Sequence, residues 1–283
     1  MPSMRDIRNR INGVAKTKQI TRSMRMVSSA KVQKAKGVFE SSRPHAQYAK
    51  GIMDILTASP DVRESNYFQP SAASKTLVVA ISTDRGLCGA YNMNVARKLI
   101  KLSNQRSNLS IVTVGSKIVP ALRREKLEVQ ISYAGIAETP MFEEAEALGE
   151  ALLQLFEEGQ VDEVRLVYTR FVSVLEQYVE DSQLLPYVVT PNGSVPAHVA
   201  FEPQGSPLIK SVVSAYVNAV LYQAFVESTL CEQTARVNSM DAAVRNSDEL
   251  VEKLTLQYNQ MRQAGITNQI IEIMGGVSAT EKR

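Results

Sequence analysis

The chain has 283 residues, of which 44% are apolar, 22% are charged and 6% are aromatic. This length predicts about two domains, and the composition excludes a wholly disordered or collagen-like chain. Cys88 and Cys231, the two cysteines, exclude a disulfide framework and a cysteine-rich zinc site, and they favour a reducing compartment. We expect no membrane-spanning segment, because no run of about 18 apolar residues occurs. We also expect no secretory signal.

The net charge of +3 hides an uneven distribution. Residues 1–50 contain twelve lysines and arginines against two acids, a balance of +10, which leaves −7 on the rest of the chain. A basic segment of this density predicts an acidic partner, such as nucleic acid, an anionic membrane surface or an acidic protein. A solvated helix face is the alternative interpretation.

Residues 3–58 predict one long helix with a narrow apolar stripe of the coiled-coil kind. The stripe consists of Met4, Ile7, Ile11 and Val14, followed after a slip near Thr17 by Ile20, Met24 and Val27. Such a slip resembles a stammer, which overwinds a coiled coil locally. Pro44 should kink the helix or mark a bend.

The middle of the chain alternates between strand and helix patterns. Residues 59–75 predict a linker, and residues 190–207, rich in proline and glycine, predict a second one. The predicted strands are 77–81, 111–114, 129–133, 164–168 and a less regular 184–189, and the predicted helices are 92–102, 118–126 and 142–158. This alternation indicates an open, largely parallel sheet.

Residues 208–274 predict a second very long helix. Its seam positions alternate in steps of three and four, which is a strong coiled-coil signal; they are Leu230, Gln233, Val237, Met240, Val244, Ser247, Val251, Leu254, Tyr258 and Met261. The two terminal helices are expected to pack on each other antiparallel. The predicted fold class is therefore α+β or α/β, a long antiparallel coiled coil with a central Rossmann-like α/β domain. Its predicted domains are residues 1–58, 75–190 and 207–283.

Catalytic chemistry has little support in the sequence. His45 and His198 have no neighbours that resemble a triad or a metal cluster. The segment 84–90 follows a strand and opens a helix, where doubly wound folds bind phosphates. Its Gly-x-x-Gly spacing is an incomplete dinucleotide fingerprint, so a tight turn is favoured. No catalytic residue, cofactor or metal is predicted.

Two other functions stay open from these residues. One is a Rossmann-type nucleotide-binding enzyme with helical dimerisation arms, using the segment 84–89. The other is a nucleic-acid-binding coiled coil that uses the basic helix. The basic helix lacks interleaved aromatic residues for base stacking, which counts against the second possibility.

Several motifs spread over the whole chain resemble those of one family. They are Ile7–Ile11, Thr17–Val27, Ser42-Arg43-Pro44, Ser82–Gly89, Tyr258–Thr267 and Glu272–Gly276. Together they resemble the gamma subunits of F-type ATP synthases, which form the central rotor shaft. The resemblance implies an antiparallel coiled coil and a Rossmann-like domain that binds no nucleotide.

The resemblance also implies a function and partners. The chain would be a non-catalytic rotor subunit that couples ion flow through the membrane rotor ring of c subunits to ATP synthesis or hydrolysis at the beta subunits. Its partners would be the alpha and beta subunits of the catalytic hexamer, the epsilon subunit and the c ring, with no nucleic acid. It would be a peripheral membrane protein on the cytoplasmic face of a bacterial plasma membrane.

Site residues follow from the same resemblance, position by position. Met24 and Arg25 match the part that faces the acidic lever of the beta subunits. The remaining matches are Arg236, Arg262, Gln263 and Thr267, for polar contacts with the ring, and Phe201 and Glu202, for a foot near epsilon and the c ring. Gln269 stands where an acid is common in the family. The dithiol insertion of the chloroplast form is absent, so thiol control of rotation is not expected.

The C-terminal tip of the second helix carries apolar residues on more than one face. They are Ile266, Ile270, Ile271, Ile273 and Met274. A helix that is apolar nearly all round must be surrounded. In a rotor shaft the surround would be an apolar bearing formed by the ring, and the alternative is additional coiled-coil seam.

Overall fold

The computed structural model describes residues 3–57, 60–69, 75–106, 108–188 and 206–280. These residues form six helices and five strands. The helices are α1 (Met4–Leu56), α2 (Pro60–Arg63), α3 (Tyr91–Gln105), α4 (Val119–Arg124), α5 (Phe142–Glu157) and α6 (Ser206–Thr280). The strands are β1 (Thr76–Ile81), β2 (Leu109–Val114), β3 (Val129–Tyr133), β4 (Glu163–Phe171) and β5 (Gln177–Leu185).

The chain divides into two compact units, and both long helices contribute to each. The coil unit comprises Met1–Ser28 and Val237–Arg283, and the sheet unit comprises Ser29–Arg236. The helices α1 and α6 have the bounds expected of two very long terminal helices, and α1 continues through Pro44 without a break in its helical assignment. The division into the domains 1–58, 75–190 and 207–283 stays a prediction.

In the coil unit α1 and α6 run antiparallel, as predicted. Lys18 pairs with Asp248, and Arg25 pairs with Asp241 at 2.6 Å, so the residue number falls on α6 as it rises on α1. On α6 the predicted seam is confirmed by burial, since Met240, Val244 and Leu254 are all buried. A seam of this kind leaves the rest of each helix surface exposed.

The predicted slip near Thr17 is wrong. The positions of α1 in the coil unit that are not exposed are Ile7, Ile11, Val14, Lys18, Thr21, Met24, Arg25 and Ser28. Apart from Met24, they step by four and three without interruption. Ile20 and Val27, which the apolar pattern assigned to the seam, are 62% and 58% exposed. The pattern failed because two long cations occupy seam positions. Both are only partly exposed, and their charged ends reach acids on α6.

The sheet unit is built on five strands in the order β3-β2-β1-β4-β5. Strands β1 to β4 are parallel, as predicted, and β5 pairs antiparallel with β4. Strand β1 is apolar along its whole length because both of its faces are covered. Leu77 and Val79 face a core formed with α5, α6 and the end of α1, whereas Val78 and Ala80 face a core formed with α3 and α4.

Two predictions for the sheet unit need correction. The fifth strand was expected at 184–189 but spans Gln177–Leu185. Its polar composition concealed it, because Asp181 lies on the strand to pair with Arg165 at 2.7 Å. The expected linker 59–75 contains the short helix α2, and Phe68 is buried in the core.

Helix α6 packs closely against α5. A Cβ atom added at Gly149 would lie 2.0 Å from Asn218 Oδ1, so a side chain at this crossing would require the buried Asn218 side chain to move. By length and composition alone, α6 is also the one helix of the described residues that could cross a membrane, with half of the relevant window buried inside the protein. A buried core helix has the same composition, and Val217, Leu221 and Phe225 lie in the core of the sheet unit.

The seam generates a prediction about stability. Val244→Asp should lower the free energy of unfolding by about 2–4 kcal/mol, because it places a charge in a dry helix–helix contact. The measurement is urea unfolding of the purified chain, followed by its helical circular dichroism. Glu252→Ala is the matched control, because Glu252 is exposed on the same helix; its effect should stay within about 0.5 kcal/mol. Equal losses for both variants would contradict the seam.

Candidate functional site at the carboxyl edge of the sheet

The loop after β1 is fixed to the loops after its neighbours. The Asp84 carboxylate accepts hydrogen bonds from the backbone N–H of Ser116 at 3.0 Å and from that of Gly135 at 2.8 Å. Ser116 follows β2 and Gly135 follows β3, so one side chain joins the carboxyl ends of three parallel strands. This edge is where doubly wound folds bind ligands.

The loop is also closed on itself. The Thr83 hydroxyl donates to the carbonyl oxygen of Arg85 at 2.6 Å, and the Asn92 side-chain amide donates to Thr83 Oγ1 at 2.7 Å. Leu87 and Gly89 have positive φ angles of 64° and 60°. These features describe a tight strand-to-helix turn, which is the interpretation that the incomplete glycine pattern favoured.

Helix α6 covers the carboxyl ends of β1, β3 and β4. The Arg236 guanidinium donates to the carbonyl oxygen of Gly86, with Nη2 at 3.2 Å and Nε at 3.3 Å. The Thr229 hydroxyl lies 2.9 Å from the carbonyl oxygen of Ala137, beyond β3, and Glu227 accepts the N–H of Phe171 at 2.9 Å at the end of β4. The place where the strand order reverses, between β1 and β4, is therefore occupied by a helix of the chain itself.

The electrostatics at this edge disfavour an anionic ligand. Glu232 is buried and lies 2.5 Å from Arg236 Nη2. Burial raises the pKa of the Glu232 carboxyl, and the nearby acids Glu138 and Asp84 raise it further, while Arg236 opposes them. The guanidinium that could attract a phosphate is already used by Glu232 and by backbone carbonyls.

A second acid connects this edge to α1. Glu138 lies 2.7 Å from Lys31 Nζ and 3.1 Å from Arg85 Nη2. The hydrogen bond from Lys31 is the largest cause that holds the pKa of Glu138 below its usual value, and both cations act in the same direction. Part of the positive charge of α1 is thus paired within the chain. Lys31 pairs with Glu138, and Lys18 and Arg25 pair with acids in the coil unit.

The coil-unit residues that are predicted to contact partner subunits differ in their exposure. Met24 is partly buried, and Arg25 is 38% exposed while it pairs with Asp241. Arg262, Gln263, Thr267 and Gln269 are exposed, and the Thr267 hydroxyl donates to the Gln263 carbonyl at 3.0 Å. Their contacts with a ring stay predictions. Phe201 and Glu202, the predicted foot, lie outside the described residues.

The predicted bearing residues are exposed on the chain itself. Ile266, Ile270, Ile271, Ile273 and Met274 are between 50% and 66% exposed. The pairs Lys18–Asp248 and Arg25–Asp241 set Met4, the first residue of α1, level with about residue 262 of α6. Among the described residues, α6 therefore continues past the first residue of α1, and no described part of α1 lies level with these five residues.

Sequence reasoning missed the internal role of Arg236. This residue is 6% exposed and belongs to the sheet unit, whereas the resemblance implied a contact with the ring. The i,i+4 spacing of Glu232 and Arg236 was a readable signal for a pair on one helix face. Its meaning depended on the loop after β1, which lies about 150 residues away in sequence.

The two cysteines and His45 have surroundings typical of residues with a structural role. Cys88 and Cys231 are buried free thiols in one cluster with Tyr91. His45 is exposed on α1 beside the Phe142 ring, at 6.3 Å between centroids, and His198 lies outside the described residues. Within the described ranges no group of three metal-binding side chains occurs.

The two thiols generate a prediction about reactivity. Burial raises the pKa of the Cys88 thiol and that of the Cys231 thiol, and each unit of increase lowers the reactive thiolate fraction about tenfold. We expect neither thiol of the folded chain to react with iodoacetamide at pH 8, and both to react in urea. Ser29→Cys, at an exposed position of α1, should add one fast-reacting thiol. Native thiols that react as fast as the introduced one would contradict the prediction.

Comparison with known proteins identifies relatives along the whole chain. The family described as ATP synthase matches residues 3–280. The chain is 35% identical to the ATP synthase gamma chain of Heliobacterium modesticaldum over 289 residues, covering 99% of both chains. It is 34% identical to that of Anaeromyxobacter and 35% identical to that of Halothermothrix orenii, again over 99% of both chains.

Solved structures agree with the fold. The chain is similar to one in the central stalk and c-ring structure of Tetrahymena thermophila mitochondrial ATP synthase, with 28% identity, a TM-score of 0.66, and coverage of 79% of this chain and 99% of the other. A chain of the Euglena gracilis mitochondrial ATP synthase gives a TM-score of 0.77 at 20% identity, covering 98% of this chain and 94% of the other, and supports the fold alone. Since both the family match and the gamma-chain relatives extend over nearly every residue, the chain belongs to the ATP synthase gamma chain family.

Proposed function

We propose that this chain is the central rotor shaft of an F-type ATP synthase and contributes no catalytic group. It couples ion flow through a membrane rotor ring to ATP synthesis or hydrolysis at catalytic sites on beta subunits. The observation that carries the proposal is the full-length match to gamma chains at about a third identity. The antiparallel α1–α6 coil and its exposed apolar C-terminal tip suit a shaft held in a bearing.

The absence of a catalytic role is supported by the carboxyl edge of the sheet. A nucleotide enzyme of this fold class would use that edge, and here α6 covers it and Arg236 occupies the loop carbonyls. The alternative of a Rossmann-type enzyme with helical dimerisation arms is therefore not favoured. Because α6 covers this edge, the polar groups there bind the helix and are not available to a ligand.

The proposed partners are the alpha and beta subunits, the epsilon subunit and the c ring. Met24, Arg25, Arg262, Gln263, Thr267 and Gln269 would face the ring of alpha and beta subunits. Its apolar bearing would surround Ile266, Ile270, Ile271, Ile273 and Met274. Phe201 and Glu202 would lie near epsilon and the c ring. The complex would place the chain at a bacterial plasma membrane, on its cytoplasmic face.

The proposed division of labour follows the three predicted domains. Residues 1–58 and 207–283 supply the shaft, and residues 75–190 supply the part that is driven by the ring.

Exposed charge on α1 is suited to partners that are met in turn, because solvent-exposed ion pairs contribute at most about 1 kcal/mol each. Stronger attraction to one of three equivalent sites would stall rotation there.

Co-purification from native membranes tests the proposed function directly. A tagged chain, solubilised in mild detergent, should bring down the alpha, beta, epsilon and c subunits in fixed proportion, and the complex should hydrolyse ATP. Nucleic acid retained through a salt wash, with none of those subunits, would overturn the proposal in favour of a nucleic-acid-binding coiled coil.

Nucleotide binding provides a second prediction. The isolated chain should show no micromolar binding of ATP or NAD by calorimetric titration, because the loop after β1 presents carbonyl oxygens to Arg236 and is sealed by α6. Gly86→Ala is a clean probe of that loop, since an added Cβ meets nothing within 4 Å. Micromolar binding that this substitution abolishes would favour the enzyme.

Arg25 provides a third prediction, on coupling. Arg25→Glu should leave the complex assembled but lower the number of ions pumped per ATP hydrolysed, because it reverses a charge proposed to face the acidic levers of the beta subunits. The measurement is ion uptake into inverted vesicles beside ATP turnover in the same sample. The coupling ratio of the wild-type protein should also depend on salt, since screening weakens exposed charges.

The pair between Arg25 and Asp241 requires a matched control. Asp241→Ala removes the internal partner and keeps Arg25, so coupling should be retained. The double variant Arg25→Glu with Asp241→Lys restores an internal pair of reversed sign and should stay poorly coupled. Recovery of coupling in the double variant would show that Arg25 acts within the coil rather than on the beta subunits.

A further inference from the structure

A connected set of polar contacts joins the carboxyl edge of the sheet to both long helices. We name it the edge clamp, and its members are Lys31, Arg85, Gly86, Glu138, Glu232 and Arg236. We propose that the edge clamp transmits torque between the sheet and the two shaft helices, with Arg236 as its positioning residue. The inference rests on the proposed rotor function.

The geometry at Arg236 opposes motion of α6 against the loop after β1. The guanidinium is planar and offers its N–H groups in a fixed fork. Its Nε and Nη2 atoms both donate to the carbonyl oxygen of Gly86, while Nη2 also lies 2.5 Å from Glu232 Oε1. Rotation or sliding of α6 against the loop would break both bonds to Gly86 together, because one rigid group makes them. The pair with Glu232 lies within α6 and holds the guanidinium in place on the helix.

Burial makes that loss costly. Arg236 and Glu232 are 6% and 5% exposed, so water does not readily replace a broken contact. Removing one partner of a buried ion pair leaves the other charge unpaired in a medium that solvates it poorly. The pair keeps the guanidinium fixed on α6, and the directional bonds from that guanidinium to Gly86 resist displacement in a way that apolar packing does not, because hydrophobic contacts carry no direction.

The loop that Arg236 holds is itself rigid. Asp84 ties it to the loops after β2 and β3, and Thr83 and Asn92 close it internally. A force applied to the sheet consequently reaches Gly86 without first deforming the loop. These connected polar contacts form a continuous path from the sheet to α6.

The clamp holds α1 as well as α6. Glu138, just beyond β3, binds Lys31 of α1 and Arg85 of the loop after β1. Both helices of the shaft are thus connected to one small region of the sheet edge, on residues that all lie within the sheet unit. A shaft driven through both of its helices does not need the α1–α6 seam alone to carry the load.

The test compares coupling with and without an opposing ion gradient. Arg236→Ala, in the complete complex in inverted vesicles, should retain ATP hydrolysis when the membrane is made leaky, because little torque is then demanded. Ions pumped per ATP should fall below the wild-type ratio, and the loss should increase as the opposing gradient rises. A residue that only stabilised the fold would not produce a loss that depends on load.

Glu163→Gln is the matched control. Glu163 forms buried ion pairs with Arg106 and Arg165 in the same unit but contacts neither α1 nor α6 through them. It should lower stability without a load-dependent loss of coupling. Should Arg236→Ala fail to assemble, Glu138→Gln replaces it, because Glu138 is partly exposed and its loss releases Lys31 and Arg85; the same load-dependent loss is expected.

The outcomes separate this inference from the proposed function. A wild-type ratio at every gradient for the clamp variants, or an equal load-dependent loss for Glu163→Gln, would overturn the edge clamp. A lower rate of hydrolysis in leaky vesicles for Arg236→Ala, with no dependence on load, would indicate instead the contact with the ring that the resemblance implied. If the wild-type chain fails to join any such complex, the proposed function itself is wrong.

Discussion

Helix α6 has to bury two different surfaces along one uninterrupted run from Ser206 to Thr280. In the sheet unit it is buried on nearly every side between Ala224 and Thr234, whereas in the coil unit only a narrow seam is covered. Between Ala224 and Thr234 the sheet and the loops around it must therefore cover every face of the helix. One result of this close packing is the glycine at position 149 of α5, where an added Cβ atom would require the Asn218 side chain to move.

The same constraint explains why, among the described residues, the polar groups at the carboxyl ends of β1, β3 and β4 bind α6. The carboxyl ends of β1, β3 and β4 would bind a ligand in a doubly wound enzyme, but they receive α6 through Gly86, Ala137 and Phe171. Backbone carbonyls and N–H groups at that edge are satisfied by side chains of the helix. The edge has the polar groups of a binding site, and these groups bind α6 of the same chain.

Some of the basic residues of α1 pair with acids elsewhere on the same chain, which composition alone does not reveal. Lys18, Arg25 and Lys31 all pair with acids elsewhere on the chain. These contacts are partly exposed, so each contributes modestly to stability. The buried pair of Glu232 and Arg236 is different, because breaking it would leave an unsolvated charge. That pair lies within α6, so it fixes the Arg236 guanidinium for its bonds to Gly86.

The sequence by itself determined the order of elements, the two long helices, four of the five strands and the family. Those features depend on local periodicity and on motifs, such as the apolar run from Leu77 to Ile81, that need no distant partner to be recognised. The seam of α6 was readable because its buried positions are mostly apolar, as at Met240 and Leu254. The predicted partner contacts of Met24, Arg262 and Gln263 depend on other chains and stay predictions.

Only the tertiary structure decided which polar residues lie inside. Apolar patterning placed Ile20 and Val27 in the seam of α1, yet the seam uses Lys18 and Arg25, because acids on α6 lie opposite them. Strand β5 was obscured by Asp181, whose charge is balanced by Arg165 on the neighbouring strand. Arg236 has the appearance of a surface cation in sequence, and its partner is a carbonyl group about 150 residues away. The burial of a charge depends on its partner, and the fold alone determines which partner is near.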